Sequence, residues 1–171
     1  IKTDFVITAS KELSKRFPVP ITKLLTHGVD YSLFTTAVPR AADLPDNGKP
    51  IAGFYGSLSE WLDIELLLAV IKRLPQWDFV FIGDAVIDTR ELEAQGNVYL
   101  LGSRAHQQLP SYSQHWDVSL LPFKNNAQIR ACNPLKLSEY LATGKPIVST
   151  LFPALAPYRA LVSVANHADA M

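Results

Sequence analysis

The sequence has 171 residues, of which 48% are apolar and 19% are charged, and this composition excludes a disordered chain. Its 16 Lys and Arg residues balance 16 Asp and Glu residues, so it lacks the positive charge that general nucleic-acid binders carry. A single cysteine, Cys132, excludes an internal disulfide framework and a Cys-rich zinc site. The apolar runs are too short to predict a membrane-spanning segment.

The first 37 residues predict two short strands separated by a helix. Residues 5–8 form an apolar run typical of a buried strand, and Ser10 is suited to cap a helix that continues through Arg16. Pro18 and Pro20 end that helix, and residues 21–26 predict the next strand. Between residues 38 and 50 the chain is rich in Pro, Ala, Asp, Asn and Gly without periodicity, which predicts a linker.

After residue 50, short apolar runs alternate regularly with amphipathic stretches. The predicted strands are residues 51–55, 79–82, 98–101, 118–121, 147–149 and 161–165. The predicted helices are residues 62–74, 106–116 with an interruption or a start at Pro110, and 134–143. Uniformly apolar strands that alternate with helices predict an α/β fold, a Rossmann-like parallel sheet with helices on both faces.

In such a sheet, ligands bind beyond the carboxyl ends of the strands, where glycine turns and helix N-termini present N–H groups. Three segments of this kind carry suggestive residues: 53–57, 102–104 and 131–136. The first looks glycine-rich, but neither a full dinucleotide fingerprint nor a Walker pattern is present. The sequence therefore disfavours NAD-dependent and P-loop chemistry.

The third segment is the most informative. It predicts a helix with Asn133 as its N-cap, Pro134 at its first position and Gly144 as its C-terminal stop. Lys136 lies in the first turn, where a cation is unfavourable for an isolated helix, so its position suggests a bound phosphate. Glu139, three residues later, is suited to accept hydrogen bonds from a vicinal diol such as ribose. The alternative is an ordinary surface ion pair between Lys136 and Glu139.

Residues 133–150 read NPLKLSEYLATGKPIVST. This segment closely resembles the donor-site signature of bacterial group 1, family-four-like glycosyltransferases with the GT-B fold, in the subgroup that reads P-L-K-x-x-E-Y-L-A-x-G-K-P. Residues 4–10, 26–34 and 53–56 resemble other parts of the same family in the expected order. The resemblance implies that residues 1–37 are the end of an N-terminal domain and the interdomain crossover, that 38–50 are a linker, and that 51–171 are a donor-binding domain truncated at its C-terminus.

The resemblance also implies which residues bind the donor. Gly56 and Ser57 would approach the donor phosphates, and Gly102, Ser103 and Arg104 would meet the nucleobase, mainly through their backbone.

The remaining implied positions lie at the start of the third segment's helix. Glu139 corresponds to the second glutamate of a paired motif that holds the donor ribose, and Lys136 and Glu139 would be the catalytic residues. The diphosphate would be lined by Asn133, Pro134, Leu135 and Lys136.

Two departures from the family pattern affect the charge at this site. The position of the first glutamate of the paired motif is Ala131, and the loop at 57–61 has no Arg or Lys. Neutralisation of a leaving diphosphate would therefore depend on Lys136 and the helix end, assisted by Arg130 or Lys124.

The sequence therefore predicts the donor-binding part of a retaining glycosyltransferase that uses a nucleotide-diphosphate sugar, with neither a metal nor another cofactor. The acceptor would be a glycan or a lipid-linked molecule bound by the N-terminal domain, with no nucleic-acid partner. Because the chain lacks an initiator Met and stops just after a predicted strand, we expect a fragment, and without most of the N-terminal domain we expect it to be inactive alone. No signal peptide is present, so we expect a cytoplasmic protein. The resemblance implies that the full-length protein contacts the inner face of the membrane through the N-terminal domain. Two alternatives remain open: a nucleotide-sugar epimerase on the same fold, and a degenerate scaffold domain of a polysaccharide assembly complex, which Ala131 and the missing loop cations favour.

Overall fold

The computed structural model describes residues 3–170, and its N-terminal part forms a small two-stranded unit. Strands β1 (Val6–Thr8) and β2 (Thr22–Leu24) pair in parallel, with helix α1 (Lys11–Ser14) between them. The Leu13 N–H donates to the Ser10 hydroxyl, which confirms Ser10 as the N-cap. The helix ends before Arg16, two residues earlier than predicted.

The connection from this unit to the main sheet contains a helix that the sequence pattern did not predict. Helix α2 (Tyr31–Thr35) is a single turn capped by Asp30, whose carboxylate accepts from the Leu33 N–H at 3.0 Å. One turn is too short for a periodic signal, so the cap is its main sequence signature. Residues 38–50 contain turns and neither a helix nor a strand, as expected for irregular structure.

The main sheet has six strands, all parallel, in the order β5-β4-β3-β6-β7-β8. This confirms the predicted α/β architecture and all six predicted strands. The strands are β3 (Ile51–Tyr55), β4 (Asp78–Ile82), β5 (Val98–Gly102), β6 (Val118–Leu121), β7 (Ile147–Ser149) and β8 (Ser163–Val164).

Helices cover both faces of this sheet. The remaining ones are α3 (Ile64–Arg73), α4 (Arg90–Glu93), α5 (Pro110–Ser113), α6 (Ala127–Ala131) and α7 (Leu135–Thr143). Helix α7 ends at Gly144, which has the left-handed conformation expected of a C-terminal stop. The sequence pattern did not predict α4 and α6, because helices of four or five residues present too little of an apolar face.

The core lies between the central strands and the helices that cover them. Every residue of β3 and β4 is buried, as both faces of these strands are covered. Gly53 lies in the middle of β3, and a Cβ added there would lie 1.8 Å from Cε3 of the fully buried Trp116. Gly53 therefore serves packing, and the glycine turn predicted from residue 53 starts only at Gly56.

Candidate functional site

Two glycine turns lie against each other at the carboxyl ends of β3 and β4. Gly56 and Gly83 have φ angles of +128° and +144°, which residues with a Cβ rarely adopt. The Gly56 N–H donates to the Ile82 carbonyl at 2.8 Å. A Cβ on Gly83 would lie 2.3 Å from the Gly56 carbonyl oxygen. Both turns therefore require glycine, and they bring the backbone of Gly56 and Ser57 to the open edge of the sheet.

The N-terminus of α7 faces the same edge. The predicted N-cap was wrong by one residue: Pro134 is the N-cap, and the helix begins at Leu135. The Asn133 side chain instead donates to the Ala9 carbonyl at 3.1 Å, because the N-terminal unit packs beside the helix and supplies an acceptor. No side chain within residues 3–170 caps the first turn of α7. The Leu137 N–H donates to the Pro134 carbonyl at 3.1 Å, which leaves the N–H groups of Leu135 and Lys136 and the positive end of the helix dipole available to an anion.

Lys136 extends from this first turn toward the glycine turn of β3. Its Nζ atom lies 5.6 Å from the ring centroid of Phe54 and 5.8 Å from that of Phe123. A Cβ on Gly56 would lie 2.9 Å from Lys136 Cε, so glycine leaves room for this side chain. Among residues 3–170 no carboxylate forms a salt bridge with Lys136.

The environment of Lys136 makes it a suitable anion ligand. Burial lowers the pKa of its ammonium group, and the nearby Cys132 and Glu139 oppose that shift. Lys136 is half-buried next to free N–H groups and forms no salt bridge among residues 3–170, so its charge is less favourable than in water until an anion neutralises it. The geometry therefore supports the phosphate-binding position predicted from the sequence.

Glu139 is buried within the protein, so the predicted alternative of a surface ion pair is wrong. Its side chain is only 5% exposed, and its two oxygens bond to residues other than Lys136. The Tyr55 hydroxyl donates to Oε2 at 2.8 Å, and Nε2 of His106 lies 2.8 Å from Oε1. Burial, followed by the charges of Tyr140 and Glu139, raises the pKa of Tyr55 well above its ordinary value, so its hydroxyl stays a donor.

An aromatic cluster holds the Tyr55 side chain in place. Its ring stacks on Trp116, with centroids 5.9 Å apart, and meets the edge of Tyr140 at 4.8 Å. The Tyr55 N–H donates to the Tyr140 hydroxyl at 3.0 Å. Because these rings are buried and interlocked, the hydrogen bond from Tyr55 fixes one side of the Glu139 carboxylate.

The loop after β5 faces the same edge, but its side chains bond within the protein. The Ser103 hydroxyl donates to the Asp84 carboxylate at 2.5 Å. Arg104 donates to Asp43 at 2.6 Å and to the Tyr112 hydroxyl at 2.8 Å. Burial raises the pKa of Asp43, but the hydrogen bonds from Arg104 and Tyr112 outweigh this effect and hold the pKa below its ordinary value. The carbonyls of Gly102 and Ser103 also accept hydrogen bonds within the protein, from the Gly83 N–H at 3.0 Å and from Arg104 at 2.9 Å. A contact between this loop and a nucleobase stays a prediction.

The two loops and the end of β3 share one cavity of about 210 Å³. It is lined by Tyr55, Gly56, Ser57, Ile82, Gly83, Asp84, Ser103, Arg104 and Leu109. Lys136 approaches Gly56 on this wall, and Glu139 bonds to Tyr55. The structure therefore brings together most of the predicted site. Leu135 is partly exposed beside it, and Asn133 instead lines a second cavity of about 230 Å³ next to the N-terminal unit.

The two departures from the family pattern lie in different places: Ser57 of the loop at 57–61 lines the first cavity, whereas Ala131 lies near the N-terminal unit. Ala131 is buried, and its carbonyl accepts from the Ser10 hydroxyl at 2.6 Å. Arg130 is exposed and lines the second cavity, and Lys124 is exposed as well. A role for either cation in neutralising a diphosphate stays a prediction.

Sequence reasoning missed His106 and Tyr55 as members of the site. His106 was assigned only to a helical stretch, and Tyr55 lay within the candidate segment 53–57 without being given a role of its own. Tyr55 is the last residue of β3, and a polar residue at the carboxyl end of a parallel strand was the available signal. His106 carried no comparable signal, since its partner Glu139 is 33 residues away.

Two further observations concern metals and membranes. Within residues 3–170, no three His, Cys, Asp or Glu side chains form a group that could hold a metal ion. In the same part of the chain, no helix combines the length and the apolar character needed to cross a bilayer.

A parallel sheet with glycine turns and a lysine-bearing helix N-terminus at its carboxyl edge is an arrangement with which α/β domains bind anions. Comparison with known proteins identifies the family to which this domain belongs. The family model of the glycosyl transferases group 1 matches residues 49–167, and the chain belongs to this family. The subgroup inferred from the P-L-K motif stays a prediction.

Individual relatives agree with this assignment. TuaH of Bacillus subtilis (strain 168), named as a teichuronic acid biosynthesis glycosyltransferase, is 31% identical over 152 residues, which are 84% of this chain and 38% of TuaH. The chain therefore spans well under half the length of this curated relative.

Two solved structures share the fold at lower identity. Anabaena HepE in complex with UDP-glucose is 19% identical with a TM-score of 0.73, over 96% of this chain and 51% of that one. Sucrose-phosphate synthase from Thermosynechococcus elongatus is 21% identical with a TM-score of 0.73. The match covers 99% of this chain and 47% of that one. These matches support the GT-B architecture.

Proposed function

We propose that this chain forms the nucleotide-sugar-binding part of a retaining glycosyltransferase, whose acceptor is a glycan or a lipid-linked molecule. The observation that carries the proposal is the half-buried Lys136 at the N-terminus of α7, where no side chain of residues 3–170 caps the helix, against the glycine turn at Gly56. A diphosphate placed between them would receive backbone N–H groups and one ammonium group. This arrangement suits a ligand with concentrated negative charge and an attached nucleoside.

The neighbouring groups suit the other parts of such a ligand. The cavity of about 210 Å³ beside Ser103 and Arg104 suits a nucleobase contacted through the backbone. The Glu139 carboxylate, held by Tyr55 and His106, lies one helical turn from Lys136 and suits the ribose hydroxyls. The ligand would therefore extend from the loop after β5 across Glu139 to the helix N-terminus.

Lys136 and the helix N-terminus would also assist the transfer step. As the bond between the sugar and the diphosphate breaks, negative charge accumulates on the leaving phosphate oxygen. Fixed N–H dipoles and an ammonium group in a dry site stabilise that charge without reorganising. Glu139 would position the nucleotide so that the departing oxygen faces the helix end.

Calorimetric titration of the chain with UDP, GDP and ADP tests the binding site. We expect binding of at least one nucleotide, with a large loss of affinity in Lys136→Ala and in Glu139→Ala. Lys72→Ala, at an exposed position in the last turn of α3, serves as a control that removes the same charge. Unchanged affinity in both site variants would contradict the assignment.

The reaction requires a separate test in a protein that includes this chain. Transfer from a nucleotide sugar would be followed by NMR of the anomeric proton, which distinguishes retention from inversion. The name of TuaH supports a role in polysaccharide synthesis. Membership of the family favours neither the epimerase nor the scaffold alternative. The cytoplasmic location and the membrane contact remain predictions.

A further inference from the structure

Glu139 is held by two donors of different character. Tyr55 is buried in the aromatic cluster and donates to Oε2. His106 approaches Oε1 from the open side, and 46% of its side chain is exposed. Since an ionised carboxylate can only accept hydrogen bonds, Nε2 of His106 must carry the hydrogen.

His106 belongs to a supported segment of the protein. It begins the 3₁₀ turn His106–Gln108, in which the Gln108 side chain accepts from the Ala105 N–H at 3.0 Å. Its ring meets the ring of the fully buried Phe34 edge-on, with centroids 5.5 Å apart. Phe34 lies on α2, which packs against α7. The ring is therefore oriented by packing, independently of its bond to Glu139.

We propose that His106 is a positioning residue for the ribose of the nucleotide. It fixes the Glu139 carboxylate from the exposed side, as Tyr55 does from the buried side, and so aims the remaining lone pairs at a vicinal diol. This inference rests on the proposed function. It adds that the site prefers ribonucleotides to deoxyribonucleotides, because His106 holds the Glu139 carboxylate in position to bind the ribose hydroxyls.

The hydrogen-bonding capacity of the carboxylate supports this role. Each carboxylate oxygen can accept about two hydrogen bonds, and Tyr55 and His106 occupy one position on each oxygen. Two positions remain, which match the two hydroxyl groups of a ribose. Without His106, Oε1 would lose its fixed orientation, and the carboxylate would reorganise when the ligand binds.

The test compares by calorimetry the affinities for a ribonucleotide that the wild type binds and for its 2′-deoxy form. UDP and 2′-deoxy-UDP represent this pair below, and GDP or ADP replaces UDP if only that nucleotide binds. We expect the wild type to prefer UDP by about 10- to 150-fold, the effect of one hydrogen bond to a charged group. His106→Leu and His106→Asn, which cannot donate from the Nε2 position, should bind UDP more weakly and lose most of this preference. His106→Gln places an amide nitrogen near that position and should restore it.

Matched measurements separate this role from a merely structural one. His167→Leu, at an exposed histidine in the C-terminal part, should leave both affinities unchanged. Thermal unfolding of each variant establishes that it is folded. Loss of stability alone would weaken the two nucleotides equally and leave their affinity ratio intact, whereas loss of positioning changes the ratio.

The outcomes also separate this inference from the proposed function. If the wild type prefers UDP and both His106→Leu and His106→Asn retain the full preference, the inference is wrong while the nucleotide site stands. The same conclusion follows if the wild type binds UDP and 2′-deoxy-UDP equally. If the wild type binds none of UDP, GDP and ADP, the proposed function fails and the inference fails with it.

Discussion

Replacing Lys136 by Met is expected to stabilise the free protein while weakening nucleotide binding. The ammonium group lies between two aromatic rings and forms no salt bridge among residues 3–170. Burial lowers its pKa, so the folded state disfavours the charged form. Met is of similar length, carries no charge and packs well against the rings of Phe54 and Phe123.

The size of the effect follows from opposing contributions. Each cation–π contact between the ammonium group and a ring stabilises the folded state by about 0.5–1 kcal/mol. These contacts offset part of the free-energy cost of burying the charge. We therefore expect a net gain of about 0.5–1 kcal/mol in the free energy of unfolding, within the range of common stabilising substitutions. For a chain of this size, this raises the Tm by about 1–4 °C. Loss of a hydrogen bond to phosphate of about 1.5–3 kcal/mol weakens UDP binding about 10- to 150-fold.

The stability difference between Lys136→Met and the wild type should depend on pH in a definite direction. Because the pKa of Lys136 is lower in the folded protein than in the unfolded chain, the unfolded chain binds more protons and wild-type stability rises with pH. The advantage of Lys136→Met is therefore present at neutral pH. It disappears as the pH rises through the folded pKa toward the ordinary lysine value of 10.5.

Thermal unfolding at several pH values and calorimetry with UDP measure the two effects. Lys72→Met, at an exposed position, removes the same charge and should change neither the Tm nor the affinity by a comparable amount. A lower Tm for Lys136→Met together with undiminished UDP affinity would refute the reasoning. That result would mean that the Lys136 ammonium group stabilises the fold and does not bind the phosphates of the nucleotide.

Three further substitutions test other parts of the structure. Gly53→Ala should lower the free energy of unfolding by about 3 kcal/mol in chemical denaturation, because its Cβ would lie 1.8 Å from Trp116 in a packed core. Gly56→Ala should reduce UDP affinity in calorimetry, since its Cβ would displace Lys136 and the backbone φ of +128° is strained by about 1–3 kcal/mol. The lowered pKa of Asp43 contributes stability above the ordinary value of 3.8 that is lost as the pH falls through the folded pKa, and Asp43→Asn should remove this loss from acid-unfolding curves.

Neighbouring positions provide the controls for these tests. Gly96→Ala, where an added Cβ meets nothing within 4 Å, should cost far less than Gly53→Ala. Equal losses at both glycines would contradict the packing argument. Wild-type affinity in Gly56→Ala would mean that Lys136 does not need its observed position. For Asp43, parallel acid-unfolding curves of variant and wild type would count against the bond to Arg104.

The sheet was predictable because its signals are local. Each of the six strands is a short apolar run, and residue types suited to buried strands identified them without knowledge of their neighbours. The caps at Ser10 and Gly144 were predictable for the same reason, as they act within one turn. The prediction for Asn133 was wrong although the preference of Asn for the N-cap position is equally local. Its side chain bonds instead to the Ala9 carbonyl, which comes near only in the folded protein.

In the candidate site, too, the features set by neighbouring residues were predictable and those set by distant residues were not. Lys136 and Glu139 were found because they lie on one helix, three residues apart, within a motif. Their surroundings were not predictable: Lys136 is half-buried and forms no salt bridge among residues 3–170, and Glu139 bonds to Tyr55, 84 residues away. The bond of Arg104 to Asp43 spans 61 residues and left no trace in the local pattern.

The sequence by itself determined the alternation of strands and helices, and the helix start that carries Lys136. These follow from apolar periodicity and capping, which depend on residues a few positions apart. Only the tertiary structure decided the strand order, the approach of Gly56 to Lys136, and the partners of Glu139. Those depend on which distant segments meet at the carboxyl edge of the sheet. Packing there buries Glu139 against Tyr55 and His106, and it leaves Lys136 half-buried with no salt bridge among residues 3–170.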